Sequence, residues 1–303
     1  MKVLNFGSLN LDHIYRLDHF VKAGETESSF AVEIKAGGKG LNQSVALARA
    51  GLAVYHAGCV GKGGESLKTL LEENGVNTQY LQETDELQGT AVIQVVPSGE
   101  NAIILFAGSN ACVTPEQASA VLEDFGEGDI LLLQNEISAL PQIIHAAHAK
   151  GMKIILNPSP YNQVIEELDL SLLSWIFINK TEAYALCAET ETDRIFSSIH
   201  ERYPQLSVLL TLGAGGSAVM RIQDGTPVYF TAEAYAVNAV DTTAAGDTYT
   251  GYFIASLLQG CSTPEAMRRA GIASGIACTR EGAAPSIPYA EEVNRVYAEI
   301  SHD

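Results

Sequence analysis

Residues 130–156 have the sequence ILLLQNEISALPQIIHAAHAKGMKIIL. Apolar runs of strand length occupy residues 130–133 and 153–156, and an amphipathic segment of helix length, residues 140–150, separates them. Continuous apolar runs are typical of strands in a parallel sheet that is buried on both faces. The stretch therefore predicts a strand, a crossover helix and a second strand parallel to the first.

The same alternation continues toward the C-terminus. Further apolar runs lie at residues 175–178 and 208–212, with a helical segment at 181–188 between them. The last third of the chain has helical patterns near residues 247–259, 264–279 and 289–300. We predict an α/β fold with an open, mostly parallel sheet and helices on both of its faces.

Two stretches, residues 14–34 and 88–106, depart from this alternation because they are strand-like and rich in turn residues, without a helical pattern. In the second, residues 91–96 and 102–106 flank the turn Pro97-Ser98-Gly99-Glu100, which is typical of a β-hairpin. The residues alone predict a β excursion from the main sheet.

Composition limits the partners and the compartment. The 303 residues, 47% of them hydrophobic, suffice for one large or two modest domains. A formal net charge of −18 argues against nucleic acid or an anionic membrane as a partner. No segment approaches the ~20 apolar residues of a membrane span, and the N-terminal apolar run is too short for a signal peptide. A cytoplasmic location is the default expectation.

The five cysteines are scattered and form no Cys-x-x-Cys pair, so they predict neither a disulfide framework nor a zinc site. We expect reduced thiols at Cys59, Cys112, Cys187, Cys261 and Cys278.

Residues 241–251, DTTAAGDTYTG, combine small residues with a carboxylate where a helix is predicted to begin. Ala244, Ala245 and Gly246 leave the first backbone amides of the helix accessible to an anion such as a phosphate. Asp247 follows them and can accept a proton from an alcohol during phosphoryl transfer. The simpler interpretation is that Asp247 only stabilises the helix N-terminus electrostatically.

Several further motifs follow one another in a recognisable order along the chain. Together with DTTAAGDT, the sequence resembles the ribokinase family of carbohydrate kinases, the phosphofructokinase-B type, from end to end. The matching motifs are GSLNLDH (7–13), AGGKGLNQ (36–43), NPSP (157–160), NKTE (179–182), TLGAGG (211–216) and TREGAAPS (279–286). Within the family, GGKG followed by Asn and Gln is the form typical of ribokinases proper.

The resemblance implies an ATP-dependent kinase for the primary hydroxyl of a small sugar, with conversion of D-ribose to ribose 5-phosphate favoured. It also implies Mg²⁺, an activating K⁺ and a single ribokinase-like domain, residues 1–303. Segments 11–35 and 88–107 would form a β lid over the sugar and mediate homodimer formation. The alternatives are a kinase for another sugar, a sugar acid or a nucleoside, and, outside enzymes, a sugar-binding sensor.

Asn10 and Asp12 are two residues apart after the first strand, so both can point to the same side. Amide and carboxylate groups suit vicinal sugar hydroxyls, which donate and accept hydrogen bonds, although Asn and Asp are also common in turns. The resemblance implies further sugar contacts at Gly38, Lys39, Asn42, Glu136 and Asp247. It also implies that the amides of Ala245, Gly246 and Asp247 stabilise the developing charge.

Asn179 and Glu182 follow an apolar strand with the spacing N-x-x-E. The resemblance assigns them to ATP and to Mg²⁺ held through water, which agrees with the strong hydration of this ion. A helix-capping pair is the structural alternative, and both can hold.

The turn with Gly213, Gly215 and Ala218 matches G-x-G-x-x-A only weakly, because a strand and not a helix follows. The remaining nucleotide contacts implied by the resemblance are Thr211, Gly213, Gly216, Ala244 and Gly246.

The resemblance implies a K⁺ site between two loops. Carbonyl and carboxylate oxygens are suitable ligands, but two surface loops in simple contact would have the same residues. The implied ligands are Asp241, Thr243, Ala277, Gly282 and Ser286. The sequence departs from its relatives at Gly215, where Arg or Lys is common, and at Gly271, where His or Asn often faces the adenine.

Overall fold

The computed structural model describes residues 1–301. Its main feature is a nine-stranded sheet with the strand order β13-β12-β11-β10-β9-β8-β1-β4-β5. These strands are Val3–Phe6 (β1), Val54–Lys62 (β4), Asn77–Leu87 (β5), Ile130–Gln134 (β8), Lys153–Asn157 (β9), Trp175–Asn179 (β10), Ser207–Thr211 (β11), Ser217–Gln223 (β12) and Thr226–Ala232 (β13).

The strands from β11 across to β5 are parallel, and β12 and β13 continue the sheet antiparallel at one edge. The predicted open, mostly parallel sheet is confirmed. The turn after β11 leads directly into the antiparallel strand β12, so the weak dinucleotide-like match is a tight turn between strands, as its residues indicated.

Helices cover both faces of this sheet. Successive residues of each strand point to opposite sides, so each strand contributes side chains to two cores. Leu131 and Leu133 pack on one side in a core that includes Ile143 and Phe196. Ile130 and Leu132 pack on the other side, in a core shared with Phe253. The continuous apolar pattern of 130–133 thus reflects burial on both faces.

The crossover between β10 and β11 contains two helices, whereas the sequence pattern predicted only the first. The second helix, Thr192–Arg202, buries Ile195, Phe196 and Ile199 on one face, a helical spacing visible in the sequence. All helices of the described chain are Lys39–Arg49 (α1), Glu65–Glu73 (α2), Pro115–Leu122 (α3), Leu140–Ala149 (α4), Gln163–Glu166 (α5), Lys180–Cys187 (α6), Thr192–Arg202 (α7), Ala245–Leu258 (α8), Thr263–Cys278 (α9) and Ala290–Ser301 (α10).

A second, four-stranded sheet forms from the two stretches that lack a helical pattern. Its strands are Asn10–Arg16 (β2), Ala31–Gly37 (β3), Thr90–Val95 (β6) and Asn101–Phe106 (β7) in the order β3-β2-β6-β7. The hairpin predicted within 91–106 is present as the antiparallel pair β6 and β7. The central pair β2 and β6 is parallel, which joins the two stretches into one small sheet, here called the lid.

Among residues 1–301, no helix combines the length and the apolar character that a membrane crossing requires.

Candidate active site

Asp247 lies in the first turn of α8. It lines one cavity with Asn157, Asn179 and Thr211, the last residues of β9, β10 and β11, and so lies at the carboxyl end of the main sheet. Ala244 precedes the helix in the left-handed conformation, with φ of 58°. The amide of Ala245 is hydrogen-bonded to the carbonyl of Thr242 at 3.2 Å. Within residues 1–301, the amides of Gly246 and Asp247 have no acceptor. Two of the three predicted amides are therefore available to an anion, while the third is already engaged in a turn.

The Asp247 side chain is buried and accepts two hydrogen bonds. Nδ2 of Asn42 donates to Oδ2 at 3.0 Å, and Nε2 of Gln43 donates to Oδ1 at 2.8 Å. Both donors lie on α1, which packs against α8. The carboxylate is thus held in one orientation by the helix that begins within the GGKG motif.

Two cavities meet at this carboxylate. The first has a volume of about 450 Å³ and lies between the lid and the helix start. All the predicted sugar contacts line it: Asn10, Asp12, Gly38, Lys39, Asn42, Glu136 and Asp247. The second, of about 220 Å³, is lined by most of the predicted nucleotide contacts: Asn179, Glu182, Thr211, Ala244 and Gly246, with Ala245 and Asp247. Lys39, Ala244 and Asp247 line both cavities.

The sequence of this chain was compared with those of known protein families. The sequence profile of the pfkB family of carbohydrate kinases matches residues 1–290. The chain belongs to this family. Its members in the comparison include a ribokinase of Haemophilus influenzae, which is 35% identical over 94% of this chain and 95% of its own length. A deoxyribokinase of Salmonella typhi is 30% identical over 97% of this chain and 98% of its own.

A solved structure of a pfkB relative supports the fold. The Arabidopsis thaliana ribokinase, described as complexed with ribose and ATP, superimposes with a TM-score of 0.86. It is 29% identical to this chain, and the match covers 97% of this chain and 98% of that one. The ribokinase-like fold is therefore shown by both sequence and structure.

The larger cavity of this pfkB-family protein, here called the sugar-side cavity after its predicted ligand, is strongly charged. Burial, together with the nearby Glu136 and Asp247, raises the pKa of Asp12 to about 7, against the opposing effect of Lys39. Burial also raises the pKa of Glu136. Burial lowers the pKa of Lys39, but the surrounding carboxylates, Asp247 foremost, outweigh it and raise that pKa above its usual value. Lys39 is therefore a firmly charged ammonium at the junction of the cavities.

Glu136 also ties the lid side of the site to α1. Its Oε2 accepts hydrogen bonds from the Ser8 hydroxyl and from the Lys39 amide, the latter at 3.0 Å. Asn10 is buried, and its Oδ1 accepts from Nδ2 of Asn110 at 2.7 Å. Asn10 therefore has its Nδ2 left to donate to a ligand.

Asn179 and Glu182 form a capping box at the start of α6. The Glu182 amide donates to Oδ1 of Asn179, and the Asn179 amide donates to Oε2 of Glu182, both at 2.9 Å. The structural alternative for N-x-x-E is thus present. Glu182 also lines the smaller cavity, so the capping box leaves this residue in contact with that space.

Gly213 and Gly216 do not line either cavity. Gly213 is exposed in the turn between β11 and β12. Gly216 has φ of +86°, and a Cβ there would lie 2.1 Å from the carbonyl oxygen of Ala232. The second glycine is therefore explained by the close approach of the backbone at this turn.

The loops of the predicted K⁺ site meet at Asp241. Its Oδ1 accepts from the amide and hydroxyl of Thr243, at 2.9 and 2.6 Å, and its Oδ2 accepts from the Gly282 amide at 2.8 Å. Burial opposes ionisation, but these hydrogen bonds outweigh it and hold the pKa of Asp241 below its usual value. Ala277 and Ser286 are both buried. Neither of them lines the larger cavity.

Three polar residues of the site were given no role from the sequence. Gln43 and Gln134 are buried behind Asp247, and Asn157 lines the smaller cavity with an Oδ1 that has no hydrogen-bond partner among residues 1–301. Gln43 and Asn157 belong to the motifs AGGKGLNQ and NPSP noted above, and Gln134 lies two residues before Glu136. A polar residue within an otherwise buried segment was the available signal for each of them.

Proposed function

We propose that this protein is an ATP-dependent sugar kinase that phosphorylates the primary hydroxyl of D-ribose to give ribose 5-phosphate. The single observation that carries the proposal is the position of Asp247, which lines both cavities. A base placed at their junction contacts a hydroxyl on one side and a phosphate on the other. The similarity to a ribokinase described as complexed with ribose and ATP supports the same pair of substrates.

The sugar side supplies both donors and acceptors for hydroxyl groups. Asn10 and Asp12 are two residues apart on β2, so their side chains lie on the same face of the lid. We assign the vicinal hydroxyls of the sugar to this face. Asn42 and Glu136 line the same cavity. Four polar side chains of mixed donor and acceptor character favour a polyol over an apolar alcohol as the substrate.

In the proposed reaction, the primary hydroxyl oxygen attacks the γ-phosphorus of ATP while its proton passes to Asp247. The new bond joins this oxygen to phosphorus, and the bond from phosphorus to the β,γ-bridging oxygen breaks, releasing ADP. The free amides of Gly246 and Asp247 stabilise the negative charge on the transferring group, together with Ala245 if its turn opens. The ammonium of Lys39 adds a positive charge at the same junction.

Residues of the smaller cavity fit a hydrated Mg²⁺ beside the phosphates. Glu182 keeps one carboxylate oxygen free of the capping box, and the unpaired Oδ1 of Asn157 adds a second oxygen ligand or water partner. When bound, the ion would neutralise phosphate charge. We assign Asn179 and Thr211 to contacts with the nucleotide or its waters.

We also propose that K⁺ binds where the two loops meet at Asp241. The carboxylate already joins the loops through Thr243 and Gly282, so a bound ion would order the segment just before Ala244 without touching the substrate. The test replaces Na⁺ by K⁺ at constant ionic strength with Mg²⁺ present. A higher rate in K⁺ supports the site, and equal rates favour simple loop contact.

A nucleoside is the second candidate substrate because the lid adds apolar side chains next to Asp12. Ile14, Ile93, Ile103 and Leu105 line the same cavity and would contact a base attached to the sugar. A non-catalytic sensor is less consistent with the structure, since a sensor needs neither a base at the cavity junction nor a second cavity for a nucleotide.

A kinase assay over ribose, 2-deoxyribose, hexoses, sugar acids and nucleosides tests the proposal. We expect phosphorylation with the highest kcat/KM for ribose. A preference for a nucleoside would change the proposed substrate but not the proposed reaction. If the protein binds ribose and phosphorylates none of the candidates, the result would favour a sensor.

We further propose a single domain over residues 1–303, with the lid inserted at 11–35 and 88–107, that forms a homodimer through the lid. Exposed apolar side chains on the lid that do not line the cavity support this interface: Phe30, Val32, Ile34 and Ile104. All five cysteines are unpaired, which suits the reducing cytoplasm as its location. Light scattering at several protein concentrations tests the dimer.

A further inference from the structure

Gln43 contacts the Asp247 carboxylate from behind. It is fully buried, donates to Oδ1 at 2.8 Å and lines neither cavity. Asn42, the donor to the other oxygen, faces the sugar-side cavity. Gln43 is therefore out of reach of both substrates and can influence the reaction only through Asp247.

Gln43 is the end of a buried chain of side-chain amides. Nε2 of Gln134 donates to Oε1 of Gln43 at 2.6 Å and to Oδ1 of Asn5 at 3.0 Å. Nδ2 of Asn5 donates to the carbonyl of Gly40 at 2.7 Å and to the hydroxyl of Ser44 at 2.8 Å. The three amide side chains lie on β1, α1 and β8, so the chain connects the centre of the sheet to the helix.

The direction of every amide in this chain follows from one backbone group. The carbonyl of Gly40 can only accept, so the nitrogen of Asn5 must face it and the oxygen of Asn5 must face Gln134. The nitrogen of Gln134 then serves both neighbouring oxygens. Gln43 consequently directs its oxygen toward Gln134 and its N–H toward Asp247.

This chain of amides provides a hydrogen bond to Asp247 but leaves another polar group without one. Oε1 of Gln134 is buried and has no hydrogen-bond partner among residues 1–301. A Cβ at Gly7 would lie only 2.5 Å from this oxygen, so the glycine leaves the space that it occupies. An unpaired buried acceptor lowers stability, which a network selected for stability alone would avoid.

We propose that Gln43 is a positioning residue for the base, and that Gln134 and Asn5 hold its amide with the N–H toward Asp247. The inference rests on the proposed function, in which Asp247 receives the hydroxyl proton. A neutral donor orients the carboxylate and stabilises its charge without adding a further charge beside Lys39, Asp12 and Glu136.

The main test is Gln43→Met, which keeps the length of the side chain and removes the donor. We expect kcat and the single-turnover rate of phosphoryl transfer to fall about 10- to 100-fold, the size that a hydrogen bond to a charged group supports. The KM values for sugar and ATP should stay near those of the wild type. Gln117→Met is the matched control, because Gln117 lies on α3 and donates to the Gly58 carbonyl on β4, away from these three amides.

Gln134→Met tests the chain of amides separately. It keeps Gln43 but removes the hydrogen bond from Gln134 that holds the Gln43 amide. We expect a smaller fall in kcat with unchanged KM values, and the double variant should be no slower than Gln43→Met alone. If Gln43→Met fails to fold, the Gln134→Met result decides.

Wild-type kcat in Gln43→Met, strictly additive losses in the double variant, or loss of sugar binding in parallel with kcat would overturn the inference. These results are distinct from failure of the proposed function, in which the wild-type protein itself would phosphorylate no sugar.

Discussion

The two cavities that meet at Asp247 are built from different chemical groups. The sugar side is formed by charged and amide side chains, among them Asp12, Lys39 and Glu136. At the nucleotide side, the helix start presents backbone amides next to the small residues Ala244 and Gly246. Side chains identify a ligand by their chemistry, whereas backbone amides bind any anion of suitable size.

This contrast predicts that the larger cavity selects its ligand more closely than the smaller one does. The pKa of Asp12 is raised to about 7 because this carboxyl is buried and lies near the carboxylates of Glu136 and Asp247, and a shift of this kind is typical of functional sites. The nucleotide side has fewer side-chain constraints, so substitutions there should have smaller effects.

The largest expected effect is at the junction that both cavities share. Asp247→Asn should lower kcat by ~10²- to 10⁴-fold, because an amide cannot accept the hydroxyl proton. The dissociation constants for sugar and ATP, measured by calorimetry, should change little. Asp193→Asn, at an exposed acid on α7, is the control. Near-wild-type kcat would remove Asp247 from the base role.

The next effect is confined to the sugar side. The wild-type protein should use ribose better than 2-deoxyribose by about 5- to 150-fold in kcat/KM, since the missing hydroxyl leaves a buried partner unpaired at ~1 to 3 kcal/mol. Asp12→Ala should narrow this ratio without changing the KM for ATP, and Asp18→Ala, at an exposed lid residue, should not. Equal use of both sugars by the wild type would contradict the assignment.

A pH effect should also belong to the sugar side alone. Below about pH 7 Asp12 holds its proton, and above it the ionised carboxylate accepts stronger, charge-assisted hydrogen bonds from two hydroxyls. The kcat/KM for ribose should therefore rise with pH through about 7, by at most about tenfold per pH unit. Asp12→Asn should lose this step, and a step that persists in that variant would assign the titration to another group.

The smallest effect is expected on the nucleotide side. Gly215→Arg adds a positive charge at an exposed position where a Cβ meets only Leu212, at 3.4 Å. We expect the KM for ATP to fall by at most about fivefold, with less effect at high salt, because exposed charge pairs are weak. Gln223→Arg places the same charge at the far end of β12 as a control. A larger change for the sugar than for ATP would reverse the comparison between the two cavities.

The lid shows where local sequence patterns stop being informative. The hairpin of β6 and β7 was predicted because its turn lies between its two strands. The parallel pairing of β2 with β6 was not predicted, since it joins residues separated by about 80 positions, such as Ile14 and Ile93. Strand partners at such distances are selected by packing and register, not by a turn.

The same limit applies to the capping and loop residues. Asn179 and Glu182 were predicted with two alternative roles, and the capping box is present in a position that also lines a cavity. Asp241 is observed to join the two loops by accepting hydrogen bonds from both of them. Its K⁺ role stays a prediction, because the same residues would be present with a K⁺ site and with simple loop contact.

The sequence by itself determined the class of fold and predicted the residues that the proposed reaction uses. Continuous apolar strands alternating with helices require a sheet buried on both faces, and a carboxylate in the first turn of a helix is a local feature. The tertiary structure alone decided that Asp247 lies between two cavities and that Gln43 is held by Gln134 and Asn5 behind it. These partners come from separate strands and helices, and the direction of a buried amide depends on neighbours that only folding brings together.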